Sequence, residues 1–578
     1  MMKIELIIPP VACPTIVYPS VPCLTAYLRQ RGFEVVQRDF NAKAFDYFLS
    51  ASCIETCLKK LSTRKSPDLQ CQNENQKGLT SEKLLMIGEY VLSTIEEMKS
   101  QFRKYSGFSD FEKYRKNRRI LDAALEIISS AYAPSKLSIY GFEMRYDLHS
   151  VEDVLESIYN RDENMFIQYF EESALPLIAQ DKPSIVGISI GYLSQLIPGL
   201  SLARIIKQEL PEIHLTLGGW HITTVGQELI RHAEKFKAFD SLVLHEGEVA
   251  LEELAHRLEK GISIHGTANV AFSDKSRTYL PDTINHPKKY RYPFPDFEGL
   301  ELDLLLAPEP IFSIPITRGC YWKKCTFCCE HSYGAKYKPV NVDTLINGII
   351  RMQQRYPEPM FYFASPAFPP SLADSFCSAV LEKKIKIAWT SLFRLEKSFS
   401  LELFKKMSKA GCKIAIFGLE SGSQRLVDLM DKRFDVKYSE KLIEASSKAG
   451  IWNHMTLIIG FPTETRAEAE QTQAYLIRNK KHWNSAAAHL FVMEKGSRLV
   501  MEREKFPFVE VEENSAGLSA LMRFRVKSGM TPLEKQELQR QFYEKVISPQ
   551  QEKVTNCLLG HDLVFIVQNG INFFSPCH

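Results

Sequence analysis

The run Ile316-Thr-Arg-Gly-Cys-Tyr-Trp-Lys-Lys-Cys-Thr-Phe-Cys328 places three cysteines, Cys320, Cys325 and Cys328, within nine residues. Three thiolates on one short loop can hold three irons of a cubane iron–sulfur cluster, whose usual complement is four cysteines. A cluster held by three keeps one iron open to a substrate or cofactor. A zinc knuckle is the competing reading. Structural zinc takes four N or S ligands, so the fourth would come from Cys329, His331 or a distant residue. Placement weighs against zinc. The loop follows a predicted strand near 313–317 and is flanked by Gly319, Tyr321, Trp322 and Phe327. Apolar cover of this kind controls solvent access and potential.

Working outward, the strand before the loop opens a strand–helix alternation. Further strands are predicted near 360–364, 386–391, 413–418, 455–460 and 487–492. Six such repeats suit a partial parallel barrel, whose chemistry sits on loops at the C-terminal strand ends. This core is assigned to 313–505. Upstream, residues 1–270 read as an α/β layer. Ile4-Glu-Leu-Ile-Ile is a strand, a helix follows to Gly32, and a second strand closes at Asp39-Phe40-Asn41. Later apolar runs at Ser184, His214 and Ser241 each precede a helical segment. That pattern predicts a doubly wound parallel sheet.

A helical insertion of about 42–180 interrupts this layer. Leu84, Ile87, Val91, Ile95, Met98 and Phe102 fall at helical spacing, with Ser81 as a candidate cap. Residues 271–312, rich in Pro and aromatics (His286-Pro-Lys-Lys-Tyr-Arg-Tyr-Pro-Phe-Pro), read as a connector. The tail, 506–578, is predicted as a small α+β region. It has a strand at Leu521-Met-Arg-Phe-Arg-Val, a helix near 532–546, and a final strand at Leu563-Val-Phe-Ile-Val.

Composition narrows the function classes. Of 578 residues, 45% are apolar and 24% charged, an ordinary globular balance. Lys plus Arg (72) nearly equals Asp plus Glu (69), and a net charge of +3 gives no electrostatic case for nucleic acid. No apolar run approaches the roughly 18–20 residues of a membrane span. Thirteen cysteines, scattered outside the one cluster, fit a reducing cytoplasm rather than a disulfide scaffold. Cys329 reads as a spare thiol and Cys577 as incidental.

Thr317-Arg-Gly-Cys-Tyr-Trp-Lys-Lys-Cys-Thr-Phe-Cys328 resembles the cluster loop of radical S-adenosylmethionine (SAM) enzymes. Its spacing of four and then two, rather than the commoner three and two, resembles members with an N-terminal cobalamin-binding domain. The resemblance implies a [4Fe–4S] cluster on Cys320, Cys325 and Cys328, with SAM on the fourth iron. Phe417-Gly-Leu-Glu-Ser-Gly-Ser resembles the fourth-strand motif, which places Glu420 and Ser421 near SAM. Ile458-Ile-Gly-Phe-Pro-Thr-Glu resembles the fifth-strand segment lining adenine, at Gly460. Met493-Glu-Lys-Gly-Ser is similar to the sixth-strand end. Phe327 and Arg394 complete the implied SAM set. One departure stands out: Phe361-Tyr-Phe-Ala-Ser-Pro lacks the acidic residue many relatives carry there, and Ser365 is the remaining candidate.

Upstream, Leu217-Gly-Gly-Trp-His and Leu244-His-Glu-Gly-Glu resemble two strand-end signatures of cobalamin domains in this group. They imply corrin contacts at Gly218, Gly219, Glu246 and Gly247. The Asp-x-His-x-x-Gly motif that gives cobalt a histidine is absent. His221 and His245 are read as polar contacts or bland loop residues rather than cobalt ligands. The whole resemblance covers about 1–500. It implies a C-methyltransferase that acts on an unactivated carbon through a 5′-deoxyadenosyl radical and methylcobalamin. No catalytic side chain beyond the cluster ligands is identified. The implied partners are a small-molecule or peptide substrate and an electron donor such as flavodoxin or ferredoxin. A non-methylating rearrangement or cyclisation with the same cofactors stays open, as does a metal-stabilised interaction protein without turnover.

Overall fold

The computed structural model describes residues 2–63, 81–274, 277–281, 284, 293–512, 517–547, 551 and 557–574. The run at 286–292 and Cys577 lie outside them, as does the Ser81 side chain. The chain divides into two compact units. The first comprises Met1–Thr15, Leu28–Ile284 and Phe297–Glu309, and the second Ile16–Tyr27, Asn285–Asp296 and Pro310–His578.

The first unit is built on strands β1 (Lys3–Ile8), β2 (Glu34–Asp39), β3 (Ile185–Ser189), β4 (His214–Gly218), β5 (Ser241–Val243), β6 (Val270–Asp274) and β7 (Arg277–Tyr279). Their order is β7-β6-β5-β4-β3-β1-β2. The first five in sequence are parallel; β6 pairs antiparallel with β5, and β7 pairs antiparallel with β6. This is a doubly wound sheet with a switch point between β1 and β3, where open α/β sheets bind ligands. Strands covered on both faces are near-continuously apolar: Ile4, Leu6, Ile7 and Ile8 are all buried. The chain turns into a helix at Phe40, one residue after β2, because the Asp39 side chain accepts the Ala42 N–H and caps it. Helices Ala51–Thr63, Ser81–Phe102 and Phe111–Ala131 pack on one another within the insertion.

In the second unit, strands β8 (Ile311–Ile314), β9 (Met360–Phe363), β10 (Ala388–Phe393), β11 (Cys412–Glu420), β12 (Trp452–Ile459) and β13 (Ser485–Leu490) run parallel in sequence order. This is the partial (β/α)6 barrel. A seventh strand, Ile16–Val17, joins β8 in parallel from far upstream in the chain. Along β11 and β12 one side is fully buried beneath helices, while Ile416, Gly418, Glu420, Thr456 and Ile458 on the other retain accessible surface.

The tail differs from expectation at two elements. Leu563-Val-Phe-Ile-Val lies in a helix, His561–Asn569, not a strand. Its apolar run has neither a two-residue nor a 3.6-residue alternation. The reason is burial all round, with Leu563, Val564, Phe565 and Ile566 all enclosed. The predicted strand at 521–526 is split into Leu521–Met522 and Phe524–Val526, each pairing with a different partner.

Candidate functional site

The cysteine loop leaves β8 through the two-residue strand Thr317–Arg318, which pairs with Lys338–Pro339. At Gly319 φ is +68°, and a Cβ would fall 2.1 Å from the Ala335 carbonyl oxygen. Only glycine fits this turn. Ser365, at the end of β9, accepts the N–H groups of Ile316 and Thr317 at 3.0 and 2.9 Å. The hydroxyl that sequence assigns to SAM thus fixes the root of the cysteine loop.

Other elements clamp the loop. The Trp322 indole donates to the Asp431 carbonyl at 2.9 Å, and the Tyr321 hydroxyl donates to Glu396 at 2.7 Å. The Thr326 N–H donates to the Met430 carbonyl at 3.0 Å. Arg498 bridges the Lys324 carbonyl and the Asp431 carboxylate at 2.6 and 2.8 Å. Burial raises the pKa of the Cys325 and Cys328 thiols, and for Cys325 the charges of Lys432 and Arg394 oppose that rise. Cys329 turns elsewhere. Its thiol bonds Glu494, whose carboxylate together with burial keeps it protonated, and its N–H also donates to Glu494 at 3.3 Å. No three His, Cys, Asp or Glu side chains among the described residues converge on a point that would suit one metal ion. A cubane needs no such point, because each thiolate takes a separate iron.

Glu420 ends β11 with φ +63°, at a register break against β12. Lys432, which sequence reading missed, donates to its Oε1 at 2.8 Å. The Lys432 ammonium also stands 6.0 Å from the Phe327 ring. Arg394 stacks its guanidinium 3.8 Å from the Trp322 ring and donates to the Lys432 carbonyl. Its Nε has no hydrogen-bond partner among the described residues. Ser421 is fully buried, accepts the Ser423 N–H and lies 3.3 Å from the Thr472 hydroxyl, so it braces the turn. Gly460 follows β12 and donates its N–H to Glu464, a buried carboxyl that burial pushes up to about 7. Phe327 meets Phe461 edge-on, ring centroids 6.5 Å apart. Lys432 had one signal in sequence, its place two residues beyond an apolar helix end at Leu429-Met430; Glu464 closes the quoted fifth-strand motif but was given no role, and Thr472 had no signal.

In the first unit, Gly218 and Gly219 end β4. Gly219 has φ +103°, and a Cβ there would lie 2.4 Å from the Ile190 carbonyl oxygen of the neighbouring strand end. Glu246 is buried, with its carbonyl accepting from Asn269 at 3.3 Å, and Gly247 precedes the helix Glu248–Glu259. His221 is buried, and His245 takes φ +62° with its N–H on Thr223. Two aromatic side chains stay exposed at the same strand ends, Tyr192 (52%) and Trp220 (38%).

Residues 314–476 match the radical SAM superfamily. Over 302 residues the chain is 26% identical to "Uncharacterized methyltransferase PH0819" of Pyrococcus horikoshii, covering 51% of this chain and 64% of that protein. It is 22% identical to the hopanoid C-3 methylase of Methylococcus capsulatus, covering 48% and 53%. The chain therefore spans less than two thirds of either curated relative. Among solved structures, the cobalamin-dependent SAM radical enzyme OxsB, with aqua-cobalamin and SAM bound, aligns with a TM-score of 0.59 at 13% identity over 96% of this chain and 70% of that one. The radical SAM methyltransferase TsrM of Kitasatospora setae, with cobalamin and a [4Fe–4S] cluster bound, aligns with a TM-score of 0.54 at 12% identity, over 89% and 81%. Residues 314–476 are thus a radical SAM domain, in a chain with the fold of the cobalamin-dependent members of that superfamily.

Proposed function

We propose that this protein is a cobalamin-dependent radical SAM enzyme that methylates an unactivated carbon of a small molecule or peptide. The observation that carries the reading is the loop of Cys320, Cys325 and Cys328 at the C-terminal end of the first barrel strand, whose Phe327 ring stands 6.0 Å from the ammonium of the Glu420–Lys432 pair.

The residues fit the groups. A thiolate set of three suits a [4Fe–4S] cluster with one open iron. Gly218 and Gly219 carry no side chain at the C-terminal end of β4, where a corrin would lie. When bound, the cluster, SAM and corrin supply one-electron cleavage of a sulfonium and a transferable methyl group. The chain supplies the rest. Lys432 and Arg394 offset the negative charge of the thiolates, and Phe327 and Phe461 keep water from them. Glu420 presents a carboxylate oxygen to a cationic ligand, held in direction by Lys432. Gly460 borders the nucleoside, and Ser365 and Ser421 position the loops. A one-electron donor such as flavodoxin or ferredoxin supplies the reductant. The exposed Tyr192 and Trp220 rings suit a flat partner.

The test is anaerobic reconstitution with iron, sulfide and hydroxocobalamin, then mass spectrometry with SAM, reductant and candidate substrates. About four irons and one corrin per chain, with 5′-deoxyadenosine, S-adenosylhomocysteine and a product heavier by one methylene, support the proposal. A product of unchanged mass would replace methylation with rearrangement. A cluster without corrin would remove cobalamin, and zinc without a cluster would remove the whole reading.

A further inference from the structure

The helix Pro532–Lys545 carries Lys535, Gln539 and Tyr543 four residues apart, so their side chains share one face. Two of them close the open edge of the barrel sheet. Gln539 donates to the Ala488 carbonyl at 2.8 Å, and the Ala488 N–H donates to the Tyr543 hydroxyl at 3.3 Å. Lys535, one turn nearer the helix start, reaches the end of β12 instead. A Cβ built on Gly460 would stand 2.5 Å from Lys535 Cδ, so the lysine stem fills the space that a side chain there would need.

This is a poor place for an idle lysine. It lies in the first turn of its helix, where the dipole disfavours a cation. Burial lowers its pKa, and the carboxyl acting on it is Glu464. Glu464 is turned to the Gly460 N–H and makes no ion pair with Lys535. Among the described residues the Lys535 ammonium has no hydrogen-bond or ion-pair partner. A part-buried charge left unpaired costs stability and needs a compensating ligand.

We propose that Lys535 recognises an anionic group of the substrate, a carboxylate or a phosphate, at the Gly460 end of the barrel. This rests on the reading that Gly460 borders the reaction site. Adenosine is neutral there and offers a lysine no charge to meet.

The test is lysine footprinting of the anaerobically reconstituted holoenzyme. An N-hydroxysuccinimide acetate ester labels the lysines, peptide mass spectrometry reads the rates, and inorganic phosphate, acetate or SAM is added in separate samples. The proposal expects Lys535 to label readily and to be protected at least about threefold by phosphate or acetate, with exposed Lys480 unchanged. Whichever anion protects names the class. Protection by SAM alone overturns it in favour of an adenosine contact. Labelling as slow as that of the paired Lys432, or no protection by either anion, overturns it in favour of a counter-ion for Glu464. The readout needs no turnover, so an enzyme that fails to methylate refutes the proposed function without touching this result.

Discussion

Lys432 and Glu420 form an ion pair at the head of the fourth barrel strand, 2.8 Å from Nζ to Oε1, with side chains 7% and 12% exposed. Removing either partner leaves the other charge stranded in a poorly solvated place. Lys432→Met and Glu420→Gln are each expected to cost about 2–3 kcal/mol in urea unfolding. The double variant should cost less than the two together, because neither charge is then left alone. Additive losses would show that the pair does not act as a unit.

Cys329 separates a cluster from a four-thiol zinc site. Cys320→Ala, Cys325→Ala and Cys328→Ala are each expected to abolish the Mössbauer signature of the reconstituted cluster. Cys329→Ser should keep it, because the Cys329 thiol is engaged with Glu494. Loss of metal on Cys329→Ser would make that thiol a ligand.

Glu464 predicts a pH dependence. Burial moves its carboxyl from an ordinary 4.5 to about 7, so the folded chain holds this proton more tightly than the unfolded one. The resulting stability is full below about 4.5 and is lost as pH rises through about 7. Its size is about 3 kcal/mol at most. Glu5 in the first unit is shifted in the same direction, so the measurement is a difference. Glu464→Gln keeps an acceptor for the Gly460 N–H. It should match the parent at pH 5 and exceed it in thermal stability at pH 8; parallel curves would refute the assignment.

Gly219 reports on the first unit alone. Gly219→Ala forces a Cβ against the Ile190 carbonyl at a positive φ, at a cost of about 1–3 kcal/mol. Corrin content of the reconstituted protein should fall while iron content holds. A fall in both would mean that the two sites do not load independently.

Much of this architecture could be read from sequence because its signals are local. Each barrel strand is a short apolar run closed by Gly or a polar residue, and the cysteine spacing marks its loop directly. What escaped depends on contacts distant in sequence. The sequence offers Ser365 as a ligand hydroxyl, but nothing in it shows that the same oxygen accepts the Ile316 and Thr317 N–H groups. The motif marks Ser421 directly, whereas its neighbour Thr472, on a later helix, is 51 residues away in sequence. Leu563-Val-Phe-Ile-Val gave no period, and only its enclosure decides for a helix.

Ile16–Val17 has a consequence for how the chain is born. On a ribosome this strand emerges before every other strand of its sheet, yet its partner Ile311–Ile314 appears only after almost the whole first unit. Pairings so distant in sequence form late, since loop closure must precede the contacts that repay it. The second unit therefore cannot complete its sheet from its own contiguous stretch. A truncation that starts at Pro310 would keep β8 but bare its edge to other chains, and adding back a peptide that spans residues 16–27 is the natural remedy.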